Sequence, residues 1–180
     1  MSEIADEVGI GEAPLYRYFQ KKENIVILSA CNNWKRILKK YFREDFKSKT
    51  TSLSGYEMVK YYFDMFVRIY QEDFGFLAFI YAFDSYVTSK QIGVEELEAY
   101  AQQFLDVKAI FDEVYDKGLI DGSIRNDVDP KIYYYSSTHA LLGLCSKMAS
   151  EAIVKTDKVV ASCAQIQLLA DMITKYIKKN

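Results

Sequence analysis

At 180 residues, half of them apolar and 27% charged, the chain has the balance of a packed globular protein and not of a disordered or fibrous one. No apolar run approaches the roughly 18 residues of a membrane-spanning helix, and no charged-then-apolar leader opens the sequence. The formal charge of −2 is unevenly spread: residues 1–49 carry ten Lys/Arg against seven Asp/Glu, the rest thirteen against eighteen, so a mildly basic end sits on an acidic body.

Taken in chain order, the apolar spacing is helical nearly everywhere and predicts an all-α protein of about eight helices, roughly 2–8, 12–19, 22–46, 55–71, 73–88, 94–118, 130–151 and 157–178. Gly9 ends the first short helix, as the residue that enters a left-handed cap without a Cβ penalty. In the long third helix Ile27, Cys31, Trp34, Leu38 and Tyr41 recur at three- and four-residue steps, with Trp34 and Tyr41 expected on its inner face. Ser54 with Glu57 three residues on is a capping box. Gly118 to Asp129 reads as a loop, and Asp129-Pro130 as an N-cap followed by Pro at the first helical position. Lys155-Thr156-Asp157 separates the last two helices.

The most informative stretch is Ile4 to Phe19. Ile4, Ala5 and Val8 form one apolar face, and Ile10, Leu15 and Phe19 another, on either side of a turn at Gly9. Ala5 is small where two helices must cross closely, which is the logic of a helix-turn-helix. An ordinary αα-hairpin within a bundle is the plainer alternative. The run IADEVGIGEAPLYRYFQKKENI closely resembles the DNA-reading motif of the TetR family of transcriptional regulators, matching at Ile4, Ala5, Gly9, Leu15, Tyr16, Phe19, Lys22 and Glu23. The motif covers about a seventh of the chain. The resemblance implies that Tyr16 packs along the DNA backbone or a base edge and that Arg17 and Tyr18 face phosphates. It also implies that Lys22 binds a phosphate at the start of the third helix. Glu12, Ala13 and Pro14 fall where relatives read bases, although small polar residues or a Lys are commoner there. A further departure is that the family has a full helix before the one starting near Ser2. Without it, Ile4, Val8, Leu15 and Phe19 are expected to show apolar flanks, and this 180-residue sequence to bind operator DNA weakly.

The same resemblance divides the chain into a head with its linking helix (1–45) and a ligand-binding, dimerising body (46–180). Aromatic residues are dense from Tyr61 to Phe66 and from Phe74 to Tyr86, within a total of 15 Tyr and 11 Phe. The expected effector is a small hydrophobic or aromatic molecule in a cavity lined by Tyr62, Phe66, Phe79, Phe83, Phe104 and Phe111, with Tyr86 and His139 as polar anchors. Core filling is the alternative for each of them. The last two helices are apolar on more than one face, so one face is expected to meet a second copy, through Tyr134, Thr138, Leu141, Cys145, Ile166, Leu169, Ala170 and Ile173. One histidine, three widely spaced cysteines and no Gly-rich phosphate loop give no metal site, no cofactor and no catalytic set, so the reading is of a cytoplasmic non-enzyme. Its expected partners are double-stranded operator DNA, a small effector and a second copy. The rival readings are a dimeric sensor that no longer reads DNA and, more remotely, an enzyme working in the aromatic cavity.

Overall fold

The computed structural model describes residues 1–150 and 159–179, apart from the side chains of residues 44, 45 and 47. Among these residues the chain is helical, without a strand; Ile124 and Lys178 form one isolated antiparallel bridge. Helices α1 (Ser2–Val8) and α2 (Glu12–Phe19) lead into α3 (Lys22–Ile37), which passes into a π-helical segment (Leu38–Glu44) and then α4 (Asp45–Thr50). Helices α5 (Gly55–Glu72), α6 (Phe74–Lys90), α7 (Glu98–Ile120), α8 (Pro130–Ala149) and α9 (Ser162–Tyr176) build the body, with a 3-10 turn (Glu95–Leu97) before α7. The expected separator at residues 155–157 and the adjoining ends of the last two predicted helices lie outside the described residues.

The caps form where the sequence places them. Ser54 and Glu57 exchange hydrogen bonds at the start of α5, with Ser54 N–H donating to Glu57 Oε2 at 2.8 Å. The Asp129 carboxylate accepts from the N–H groups of Lys131 (2.8 Å) and Ile132 (3.0 Å). The turn after α7 has a second role. Asp121 accepts from Gly55 N–H at 2.7 Å and Ser123 Oγ from Tyr56 N–H at 2.9 Å, so this corner satisfies the first N–H groups of α5 from outside the helix.

The long helix departs from the single 22–46 rod that the spacing predicts. Ala30, Trp34, Leu38, Phe42, Phe46 and Thr50 are all buried, at strict four-residue steps. An α-helix turns about 100° per residue, so such a stripe drifts by about 40° per step and soon leaves the core. The π segment, with its wider i→i+5 turn, absorbs that drift and keeps the stripe facing inward.

The core holds two aromatic clusters. Around Trp34 stand Phe76 (4.9 Å between ring centroids) and Phe104 (4.8 Å), and the indole N–H donates to Tyr100 OH at 3.2 Å. Around Tyr62 stand Phe42 (5.2 Å), Phe63 (5.3 Å) and Phe111 (5.4 Å). Edge-to-face and tilted ring pairs of this kind add about 0.5–1.5 kcal/mol each beyond burial. No helix of the described residues is long and apolar enough to cross a membrane.

Candidate functional site

The head is two short crossed helices. Gly9 sits at φ 70°, ψ 32°, and Ile10 N–H donates back to Ala5 C=O at 3.0 Å, which turns the chain within three residues. Ala5 and Leu15 are buried where α1 and α2 meet. The expected apolar flank at Leu15 is therefore covered. Ile4 and Phe19 are half-buried, while Val8 (61%) and Ile10 (45%) stay exposed.

Tyr16 and Tyr18 point outward, 49% and 74% exposed, and the Arg17 guanidinium lies 5.5 Å from the Tyr18 ring. Glu12, Ala13 and Lys22 are exposed too, and Pro14 is half-buried. Ser2 Oγ donates to the Glu12 carboxylate, which draws that acid toward α1. Gly11 caps α2 without a side-chain hydrogen bond, and Pro14 in its first turn has no N–H to satisfy.

Two contacts that the sequence does not reveal join the head to the body. Lys21 forms an ion pair with Glu96, which raises the Lys21 pKa. Tyr86 OH, expected as a polar anchor of the cavity, donates to Glu23 Oε1 at 3.2 Å and so ties the start of α3 to the end of α6. The backbone N–H of Glu23 and the Tyr86 hydroxyl hold the Glu23 carboxyl below its usual value, against the opposing effect of desolvation. Partners 63 and 75 residues apart leave no local signal in a sequence.

The expected cavity residues do not line one space. Tyr62, Phe66 and Phe111 fill the cluster around Tyr62, whereas Phe83 and Phe104 pack near Trp34, with Phe79 stacked on Phe83 at 6.2 Å. His139 is exposed on the outer side of α8, 5.8 Å from the Tyr135 ring, and anchors nothing inside. Helical spacing identifies inward faces but not whether they meet side chains or a void, and here they meet side chains. The hydroxyls of Tyr62 and Thr138 are buried without a hydrogen-bond partner among the described residues, and burial pushes the Tyr62 pKa well up.

Free space lies elsewhere. A groove of about 560 Å³ opens between the π segment, α4, α5 and α7, over Phe42, Phe46, Met58 and Ile110. Another, of about 520 Å³, runs between α8 and α9 along Ile132, Ser136, Leu169, Met172, Ile173 and Tyr176.

The expected pairing face also needs correction. Tyr134, Thr138, Leu141, Cys145, Ile166 and Ala170 are buried inside the single chain; Tyr134 packs 5.0 Å from Phe111, and Cys145 lies under the Phe66 carbonyl. Leu169 and Ile173 are half-buried in the α8–α9 groove. Both faces of α8 are apolar, so its period could not tell core from surface. Its outward face carries Ile132, Ser136, His139, Ala140 and Gly143, beside Leu168, Met172 and Tyr176 of α9.

Among the described residues no group of three His, Cys, Asp or Glu gathers in a way that could hold a metal. Cys31, Cys145 and Cys163 are free thiols, and burial pushes that of Cys145 up to about 12. A scan against protein-family models gives no match, and neither curated proteins nor solved structures give a significant one.

Proposed function

We propose that this chain is a homodimeric, TetR-like transcriptional regulator, a repressor that a small molecule releases from its operator. The observation that carries the reading is the head: two short helices crossed at Gly9 that present Tyr16, Arg17 and Tyr18 outward, at the end of a helix whose other end is set in the body core. A helix of this kind enters the major groove by its N-terminal half, while flanking Tyr, Arg and Lys hold the phosphates. The exposed apolar side chains of α8 and α9 support pairing, and a two-fold dimer would set two heads about one DNA turn, ~34 Å, apart. Effector binding would then move α3 and change that spacing. A tightly bound ligand switches nothing unless it favours the released form by several kcal/mol.

Fluorescence anisotropy on DNA from the intergenic region beside its own gene tests the reading. The readout is the ratio of affinities for intergenic and scrambled DNA. Tyr16→Ala and Arg17→Ala should each lower operator affinity about tenfold with unchanged helicity. Equal binding of intergenic and scrambled DNA across a salt series would exclude sequence reading.

A further inference from the structure

We propose that the groove beside the π-helical segment binds an amphipathic organic cation, an inference that rests on reading the body as a sensor. The space, about 560 Å³, lies within the range of small-molecule sites, and its floor of Phe42, Phe46, Met58 and Ile110 suits an apolar body. The aromatic clusters deeper in the core are packed ring against ring, so this groove, open at its rim, is better placed to admit a ligand.

The rim sets the sign of the charge. Among its described residues it carries Arg43, Asp106 and Glu113. Arg43 is engaged by Asp106 at 3.6 Å, and Asp106 also accepts from Gln102 at 3.2 Å. Glu113 is exposed and has no ion pair or hydrogen bond among the described residues. An anion would meet two carboxylates and a guanidinium already taken. A neutral ligand would lie beside an uncompensated acid. A monocation with an apolar body satisfies the floor and supplies the missing counter-charge to Glu113.

The position couples the groove to the head. Phe42 belongs to the π segment and Phe46 to the start of α4, so a bound ligand touches the stretch where the long helix departs from α geometry. A regular α register would turn Phe46 and Thr50 away from the core, so occupancy that favours either geometry would be felt along α3.

The test uses tetraphenylphosphonium and tetraphenylborate, two ions of the same shape and opposite charge, titrated calorimetrically into the purified full chain. The cation is expected to bind saturably, one per chain, with the anion about tenfold weaker or worse. Glu113→Gln should lower cation affinity about tenfold and remove the preference for it. Ala109→Trp, at an exposed rim position, should block both ions without altering the circular dichroism spectrum or Tm. Equal affinity for the two ions, or unchanged cation binding in either variant, would overturn the site. No DNA enters these readouts. A chain that binds the cation but never prefers an operator loses the transcriptional reading alone, and one that prefers an operator but ignores the cation loses this site alone.

Discussion

Asp73 is the most heavily committed acid of the described residues. It closes α5 and opens α6, and its carboxylate accepts from Tyr41 OH at 2.5 Å, Lys40 Nζ at 2.8 Å and the Arg36 guanidinium. Burial pushes its pKa up, but these three donors outweigh burial and bring it down to about 2. Because the folded value lies below the unfolded one, the stabilisation is complete above about pH 4 and is lost as pH falls toward 2, about 2 kcal/mol in all. Urea unfolding of the native chain and Asp73→Asn should therefore show a stability gap at pH 6 that closes between pH 4 and 2; a gap independent of pH would assign the effect to packing. The spacing of the long helix turns Tyr41 inward, as the burial of its ring bears out, but it carries no sign that the hydroxyl meets an acid 32 residues away. Local periodicity reports faces, whereas a tertiary hydrogen bond depends on where two faces are brought together.

At the scale of elements, the crossing of α5 and α7 rests on two glycines. A Cβ on Gly55 would lie 2.0 Å from Gly118 N, and one on Gly118 would lie 2.2 Å from Ile124 Cδ1. Gly118→Ala is expected to cost about 1–3 kcal/mol as the added methyl pushes the buried Ile124 side chain out of its place. Gly75, in the first turn of α6, has nothing within 4 Å of its missing Cβ, and Gly75→Ala should gain about 0.5–1 kcal/mol by restricting the unfolded chain. Guanidinium unfolding of both variants should move the midpoint in opposite directions; a shared sign would show that the close approach relaxes at little cost. Gly118 illustrates what a sequence can say of a helix end. Read as the opening of a loop, it instead lies inside α7, which runs on to Ile120. Gly marks both breaks and close contacts, and only the neighbouring helix decides which. The capping box at Ser54 and the Asp129-Pro130 start were legible because their chemistry lies within four residues. The π segment was not, because the need for it appears only when Phe42, Phe46 and Thr50 are all found buried on one side.

At the scale of the whole molecule, the proposed dimer depends on which surface a second copy would cover. The sequence placed two apolar faces on each of the last helices and chose the wrong one on α8, since Tyr134, Leu141 and Cys145 serve the chain's own core. What remains outside is a coherent patch: Ile132 (67%), Leu168 (62%), Met172 (61%) and Tyr176 (58%) expose large side chains, and Ser136, Ala140 and Gly143 leave α8 low enough for a second helix to lie close. Surface apolar residues scattered singly need no partner, but Ile132, Met172 and Tyr176 line one groove of about 520 Å³, which suits the proposed second copy. A second apolar exposure, Phe74 and Tyr81 on α6, is smaller and is the competing face. Met172→Glu, on the groove, and Ala140→Glu, one turn beyond Ser136, each place a charge on the exposed α8–α9 surface without touching the core, so if the chain pairs there each variant should sediment as a monomer with native helicity. Phe74→Glu should remain a dimer. Loss of dimerisation in Phe74→Glu but not in Met172→Glu would move the interface to α6 and change how far apart the two heads stand. If the α8–α9 assignment holds, the monomeric variants should also lose about tenfold or more in operator affinity, because a lone head forgoes the second half-site.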